Sequence, residues 1–208
     1  MGTSANASAE TISLPQGGGA LQGIGETFSP DPHTGTGSFA VPLAIPPGRN
    51  GFGPKLTLAY STGAGNGPFG LGWSLGVPMI SRKTSAGVPR YGEDLRRPDV
   101  FVLSGAEDLV PVDGAPEGAR RYRPRVEGLF AEIDYHAATD TWEVRSKDGL
   151  INRFGGEMLS GGRAVVADPL REGRTFSWLL TETIDPFGNR IRYEYLRDRS
   201  ADPKRAWD

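Results

Sequence analysis

The run GAGNGPFGLGWSL, residues 63–75, constrains this chain more than any other stretch of its sequence. It places five glycines and one proline around Phe69, Leu71 and Trp73. Glycine adopts backbone angles that other residues resist, whereas proline fixes φ and has no N–H donor. We therefore expect a shaped turn at a corner of a β-sheet, with Phe69 and Trp73 anchored in apolar packing.

Charge is distributed unevenly along the chain. Of the 23 basic and 25 acidic residues, only five precede residue 81, and these are Glu10, Glu26, Asp31, Arg49 and Lys55. The same stretch contains 17 of the 30 glycines and nine of the 17 prolines. A charge-poor surface that carries aromatic residues is poorly suited to face water. We expect the rest of the chain, or a partner, to cover it.

The apolar residues alternate with a period of two along residues 39–45 and again along 56–60, which predicts strands with one buried face. Pro42 predicts an edge position or a bulge, because it cannot donate to a ladder. Further along, the pattern predicts hairpins that pair 100–103 with 109–112, 129–135 with 142–145, 142–147 with 150–154, and 176–184 with 190–196. No amphipathic helix of three turns is evident. The chain is predicted to be all-β, with antiparallel hairpins and meanders joined by glycine- and proline-rich turns.

The 208 residues could hold one large or two small domains, and they suffice to bury a sizeable core. We expect a disordered leader at 1–12 and a β domain at 13–196. That domain is charge-poor to about residue 80 and rich in hairpins thereafter. Residues 197–208 read as a polar tail at which a longer protein is truncated.

Composition excludes several classes of function. The chain has no cysteine, which excludes disulfides, thiolate zinc sites and cysteine nucleophiles. Its net charge of −2 creates no field that favours nucleic acid, and no apolar run is long enough for a membrane helix. The N-terminus lacks the basic and apolar regions of a conventional signal peptide. We expect neither nucleic acid nor direct membrane insertion.

Two short motifs resemble catalytic or cofactor signatures but lack their context. Residues 65–70 match G-x-G-x-x-G, yet glycines and Pro78 follow where a phosphate-binding helix would begin. Residues 72–76 match G-x-S-x-G around Ser74, yet a nucleophile elbow needs a strand before it and a helix after it. A hydrolase centred on Ser74 is therefore the weakest of the hypotheses.

The remaining polar candidates read as structural. His33 and His136 stand alone, without metal-ligand spacing, and residues 185–189 form a hairpin turn more simply than a calcium loop. The basic cluster of Arg120, Arg121, Arg123 and Arg125 reads as a solvated strand face. We predict no catalytic, cofactor-binding or metal-binding residue, and no cofactor.

A series of longer motifs then occurs in order along the chain: LPQGGGA (14–20), GIGE (23–26), TGTGS (34–38), PGR (47–49), GAGNGPFG (63–70), GW (72–73), PRY (89–91) and LSGAEDLVP (103–111). This series resembles the SpvB-type N-terminal domain of the B component of bacterial insecticidal toxin complexes. The later run DPFGNRIRYEY, residues 185–195, is similar to the hairpins of Rhs/YD-repeat proteins. The resemblance covers about residues 13–195.

The resemblance implies a role. In that family the B component and a C component build a shell of antiparallel β-sheet around a toxic polypeptide, and the B component docks on a pore-forming A component. We therefore expect a secreted, non-enzymatic structural module that forms part of a large curved β-sheet shell. Its expected partners are the remaining B-component sequence and a C-component or Rhs toxin chain, with the A component reached indirectly. Export would follow a cytoplasmic stage.

Some members of the family couple such a domain to an actin ADP-ribosyltransferase, which carries a Glu-x-Glu turn. This chain has no Glu-x-Glu, and Glu132-Ile133-Asp134 is its nearest approach. We therefore expect the protein not to be an enzyme. The alternative is a carbohydrate- or host-surface-binding module in which Trp73 and Trp142 contact the ligand.

Overall fold

The computed structural model describes residues 27–31, 36–67, 69–85, 87–92, 98–104, 107–126, 130–171 and 173–196. Expectations for the leader, for His33 and for the tail at 197–208 lie outside these residues. Within them the secondary structure is almost entirely β, with one 3₁₀ turn at Arg49–Gly51 and no α-helix. The prediction of an all-β fold is confirmed.

The described strands follow one another in this order: β1 (Thr27–Asp31), β2 (Thr36–Leu43), β3 (Leu56–Ser61), β4 (Asn66–Gly67), β5 (Gly70–Leu71), β6 (Trp73–Leu75), β7 (Met79–Arg82), β8 (Phe101–Leu103), β9 (Glu107–Val112), β10 (Ala119–Pro124), β11 (Glu132–His136), β12 (Thr141–Arg145), β13 (Ile151–Gly155), β14 (Val165–Ala167), β15 (Thr175–Ile184) and β16 (Arg190–Arg192). All their pairings are antiparallel. They divide into an N-terminal sheet, a short hairpin and a barrel.

The N-terminal sheet has four strands in the order β1-β2-β3-β6. Strand β2 is central, so the prediction that Pro42 marks an edge strand is wrong for the strand as a whole. The described pairing between β1 and β2 reaches Ala40, and Pro42 lies beyond it, opposite Thr57 of β3. Among the described residues β2 has one neighbour at that point, which is where a residue without an N–H is tolerated.

The barrel closes on itself. Its strands pair in the order β13-β12-β11-β10-β9-β8-β7-β15, and β13 also pairs with β15, which completes the ring. Strand β15 is long enough to close the ring because residues 177–179 pair with β7, whereas residues 180–184 pair with β13. Strands β14 and β16 pair with β15 outside the ring. All four predicted hairpins are present, although β11 begins at Glu132 and β16 ends at Arg192.

The interior of the barrel holds the core of the described chain. Its centre is a cluster of rings in mutual contact, with centroids 4.8–6.4 Å apart, contributed by Phe101, Tyr122, Tyr135, Trp142 and Trp178. Ile80, Ile133, Phe154 and Leu180 pack against these rings and are almost completely buried. The alternation along β12 produces this arrangement, because Trp142 and Val144 point inward while Glu143 points outward.

Candidate functional site: an open apolar face

One face of the N-terminal sheet gathers its large apolar residues into cross-strand rows. Phe39, Tyr60 and Trp73 lie opposite one another on β2, β3 and β6, and the Trp73 ring is 5.2 Å from Tyr60 and 6.5 Å from Phe39. The rows Val41–Leu58–Leu75 and Leu43–Leu56 lie two and four residues further along β2. We call these eight residues the apolar face.

The apolar face is only partly covered by the described part of the chain. None of its eight side chains is buried, and Leu43 is 40% exposed. By contrast, all thirteen buried apolar residues among those described lie at Ile80 or beyond. An apolar face of this kind is typical of a surface that another polypeptide covers.

Gly72 fixes the geometry of the corner where β6 joins this sheet. Its φ is +80°, and a Cβ added there would lie 2.5 Å from Cε2 of Tyr60 and 2.9 Å from the carbonyl oxygen of Ser61. The backbone N–H of Ser61 donates to the Gly72 carbonyl at 2.9 Å, and that of Gly72 donates to Gly65 at 3.0 Å. Glycine is required here because backbone and ring approach it from the same side.

The prediction about the two aromatic residues of this corner is half right. Trp73 packs in the aromatic row of the apolar face, but Phe69 is 52% exposed. Phe69 lies at the tip of the β4–β5 hairpin, between Gly67 and Gly70, where no described layer packs over it. Residues 65–70 thus form a two-stranded hairpin, with no helix N-terminus to hold a phosphate.

Ser74 and the isolated histidine lack the surroundings of a catalytic site. Ser74 is exposed in the middle of β6, opposite Ala59, and not at a strand-to-helix turn. His136 ends β11 in the other sheet. The described residues contain no group of three His, Asp or Glu side chains that could hold a metal ion.

Trp73 and Trp142, the two tryptophans predicted to contact a ligand, have different environments. Trp142 is 1% exposed inside the barrel, so the prediction that it contacts a ligand is wrong. Its bulk fills the ring interior, which an eight-stranded barrel leaves just wide enough for side chains. Trp73 is half-buried in the apolar face.

Asp140 is the polar centre of the barrel, and the sequence did not single it out. Its Oδ1 accepts hydrogen bonds from Tyr135 Oη at 2.9 Å and Trp178 Nε1 at 2.8 Å. Its Oδ2 accepts from Thr175 Oγ1 at 2.7 Å and from Arg163 Nη2 at 3.0 Å. Burial, followed by the charge of Asp140, raises the pKa of the Tyr135 hydroxyl. The four donors tie the β11–β12 turn to β15 and close one end of the barrel.

A second buried polar group lies beside the aromatic core. The Arg82 guanidinium donates to Asp99 Oδ2 at 2.7 Å and lies over the rings of Tyr91 and Phe101, at 4.9 and 5.1 Å from their centroids. Burial acts to raise the pKa of Asp99. Hydrogen bonds from the N–H groups of Arg90 and Tyr91 and the charge of Arg82 outweigh burial and lower this pKa. The pair holds the 87–92 loop against the barrel.

The turn at 185–189 is held by its own aspartate. Asp185 Oδ1 accepts from the backbone N–H groups of Phe187 and Asn189, at 2.9 and 2.8 Å. The carboxylate is thus occupied by the turn itself, as expected of a hairpin rather than of an ion site.

No helix among the described residues has the length and apolar character needed to cross a membrane.

The chain is similar to a known protein family, to curated relatives and to solved structures. Residues 31–206 match the family described as "Salmonella virulence plasmid 65kDa B protein", SpvB. The mono(ADP-ribosyl)transferase SpvB of Salmonella choleraesuis is 36% identical over 205 residues, which span 89% of this chain and 33% of that protein. The chain thus spans about a third of the length of the curated relatives that it matches.

Two solved structures extend the comparison. A chain in the crystal structure of TcdB2-TccC3 is 34% identical, with a TM-score of 0.73, and the match covers 91% of this chain and 10% of that one. The N-terminal domain of effector protein SpvB from Salmonella typhimurium strain LT2 is 32% identical, with a TM-score of 0.61, and the match covers 75% and 54%. The all-β architecture is therefore shared with components of toxins and effectors.

These relatives correct the expected function. The prediction of a non-enzymatic structural module, and the prediction that the protein is not an enzyme, are both wrong, because relatives 35–36% identical over most of the chain are named mono(ADP-ribosyl)transferases. The prediction was based on the absence of a Glu-x-Glu motif. That absence holds for these 208 residues, which span only about a third of the length of those relatives.

Proposed function

The chain belongs to the SpvB family, and we propose that it is the assembly region of an exported bacterial toxin, docking through the apolar face of its N-terminal sheet. The observation that carries this proposal is the contrast in burial along the chain. The barrel buries its own apolar core, whereas none of the eight apolar residues of the apolar face is buried by the described part of the chain. Burial of such a surface drives association, at about 25 cal/mol per Å² before the costs of binding.

We propose the remaining B-component sequence as the polypeptide that covers the apolar face, in contact with a C-component or Rhs toxin chain. A pore-forming A component would be reached only through these chains. The similarity to a chain of TcdB2-TccC3, of which the match spans a tenth, supports this assignment. Export without a conventional signal peptide, after a cytoplasmic stage, is part of the same proposal.

The apolar face can be tested by charge. In Leu43→Asp/Leu56→Asp, two cross-strand neighbours of the face become acidic, and a matched control, Leu159→Asp/Leu170→Asp, alters exposed leucines on barrel loops. We expect the unaltered chain to self-associate in sedimentation velocity and to co-purify with the rest of the toxin when the two are co-expressed. The face variant should lose both properties and the control neither.

Either of two outcomes would overturn the docking proposal. One is a chain that sediments as a monodisperse monomer and does not co-purify with the rest of the toxin. The other is a face variant that associates as strongly as the control. Circular dichroism on both variants establishes that the sheet content is retained.

A second proposal concerns the complete protein that contains this chain. We propose that it transfers single ADP-ribose groups, since the relatives that match 89% of the chain carry that name. The complete protein, incubated with biotinylated NAD⁺ and a host-cell lysate, should label one or a few proteins. Labelling no stronger than in a heat-denatured sample would refute the activity without affecting the docking proposal.

A further inference from the structure

A row of charged residues crosses the outer surface of the barrel. Its members lie directly opposite one another on six neighbouring strands, namely Arg121, Asp134, Glu143, Arg153, Glu182 and Arg192. Arg145 and Arg190 flank the row on β12 and β16. The arginines at its β12–β16 end, Arg145, Arg153, Arg190 and Arg192, form what we call the arginine face.

The arginine face is built around two carboxylates. Arg153 bridges them, with Nε 3.0 Å from Glu143 and Nη1 3.1 Å from Glu182. Glu182 also receives Arg190 Nη1 at 3.1 Å and Arg192 Nε at 3.4 Å. Arg145 lies 2.6 Å from Glu143. Four positive charges thus surround two negative ones.

The acidic and basic side chains of this surface differ in their exposure to solvent. The side chains of Glu143 and Glu182 are only 16% and 12% exposed, whereas those of Arg153, Arg190 and Arg192 are 47%, 50% and 52% exposed. Burial acts to raise the pKa of Glu182, but the hydrogen bonds and charges of the surrounding arginines prevail and lower it. The guanidinium groups of Arg153, Arg190 and Arg192 thus lie nearer the solvent than the carboxylates of Glu143 and Glu182, although Glu157 and Glu194 line the cleft beside Arg153 and Arg192.

The guanidinium groups retain donors for a further acceptor. Each guanidinium has five N–H donors in a planar fork, and the bonds to Glu182 use one from Arg190 and one from Arg192. The two arginines lie two residues apart on β16, which sets them about 6.8 Å apart along the strand. Side chains on one face of an extended peptide have the same spacing, about 6.8 Å.

We propose that the arginine face binds an extended acidic segment of a partner protein, whose alternate carboxylates are received by Arg190 and Arg192. Paired N–H donors match carboxylate and phosphate oxygens bidentately, and the spacing of Arg190 and Arg192, equal to that of alternate side chains on a strand, favours the carboxylates of an extended peptide. This surface lies on the barrel and is separate from the apolar face, so either proposal can fail alone.

Fluorescence anisotropy with a fluorescein-labelled polyglutamate peptide and the full chain tests this proposal. We expect Arg190→Gln/Arg192→Gln to weaken binding about tenfold at low salt, because two charge-assisted contacts are lost. The matched control, Arg49→Gln/Arg171→Gln, removes the same charge from exposed arginines elsewhere and should change affinity less than about twofold.

A second variant guards against loss of folding. Arg190→Lys/Arg192→Lys keeps two charges beside Glu182 but removes the planar forks, and we expect about threefold weaker binding. Equal effects in the glutamine pair and its control, or unchanged binding in the lysine pair, would overturn the proposal. So would tighter binding of a single-stranded oligonucleotide or of anionic lipid vesicles than of polyglutamate.

Discussion

Trp142 in the barrel is 1% exposed, whereas Trp73 in the N-terminal sheet is only half-buried, although both lie on strands with alternating apolar residues. The difference comes from whether the sheet closes into a barrel. A sheet that closes into a ring supplies the opposite wall of its own core, whereas an open four-stranded sheet needs a second layer from elsewhere. The same sequence pattern therefore gives a buried core in one region and a partly exposed apolar face in the other.

The largest expected effect compares the two tryptophans directly. Trp142→Ala should lower the free energy of unfolding by about 3–5 kcal/mol, because it opens a cavity among the packed rings of the barrel. Trp73→Ala should cost about 1 kcal/mol in the isolated chain, since its ring is already partly hydrated. Urea denaturation followed by far-UV circular dichroism measures both. Comparable losses would mean that the N-terminal sheet has a core of its own.

The next prediction concerns the polar centre of the barrel, which has no counterpart among the described side chains of the N-terminal sheet. Asp140→Ala should cost about 3 kcal/mol, because buried donors on Tyr135, Thr175 and Trp178 lose their acceptor. Asp140→Asn should cost less, since asparagine tolerates the φ of +51° at this position and keeps one acceptor oxygen. Urea denaturation again provides the measurement. Equal costs would show that hydrogen bonding to this side chain contributes little.

A third prediction tests whether the two regions respond independently. Gly72→Ala and Gly70→Ala both place alanine at positive φ, but only the Cβ at position 72 meets Tyr60 and Ser61, while position 70 is open. We expect Gly72→Ala to weaken the N-terminal sheet by about 2 kcal/mol and Gly70→Ala by about 1 kcal/mol. Hydrogen exchange should show the loss in β3 and β6, with β11–β13 unchanged. Faster exchange in those barrel strands would show that the regions are coupled.

The sequence predicted the strands more reliably than their surroundings. Local signals such as Asp148-Gly149 identified the hairpins, because a short turn and the alternation that flanks it are contiguous in sequence, although the observed β12–β13 connection spans residues 146–150. Closure depends on β15 meeting both β7 and β13, nearly a hundred and about thirty residues away, and no local pattern encodes such pairings.

The candidate site was predictable only in part. Low charge before residue 81 predicted a surface that the rest of the chain or a partner covers, and the apolar face in that stretch is only partly buried by the described residues. Phe69 was misassigned because an aromatic residue in a glycine-rich turn reads the same whether or not a layer packs over it. Asp140 reads as an ordinary turn residue. The need of a buried Trp178 and Tyr135 for an acceptor is the signal that could have indicated it.

The smallest expected effect is a difference in pH dependence between the two regions. Glu182 is buried, which acts to raise its pKa, but Arg190, Arg192 and Arg153 lower it below the ordinary value. A lowered carboxyl pKa stabilises the fold above the ordinary pKa, and that contribution is lost as the pH falls through the folded-state value. As the pH is lowered from about 7 to about 3, the midpoint temperature of thermal unfolding should therefore decrease. The decrease should be smaller in Glu182→Gln than in the unaltered chain. In the control Glu117→Gln, which removes an exposed carboxylate in the loop before β10, the midpoint temperature should decrease as much as in the unaltered chain.

The N-terminal sheet should respond differently, because residues 36–80 contain no acidic residue. Hydrogen-exchange protection in β2 and β3, corrected for the intrinsic pH dependence of exchange, should therefore stay the same across this pH range. A loss of protection there in step with the barrel would mean that the N-terminal sheet takes its stability from the barrel and does not fold as a separate, unfinished layer.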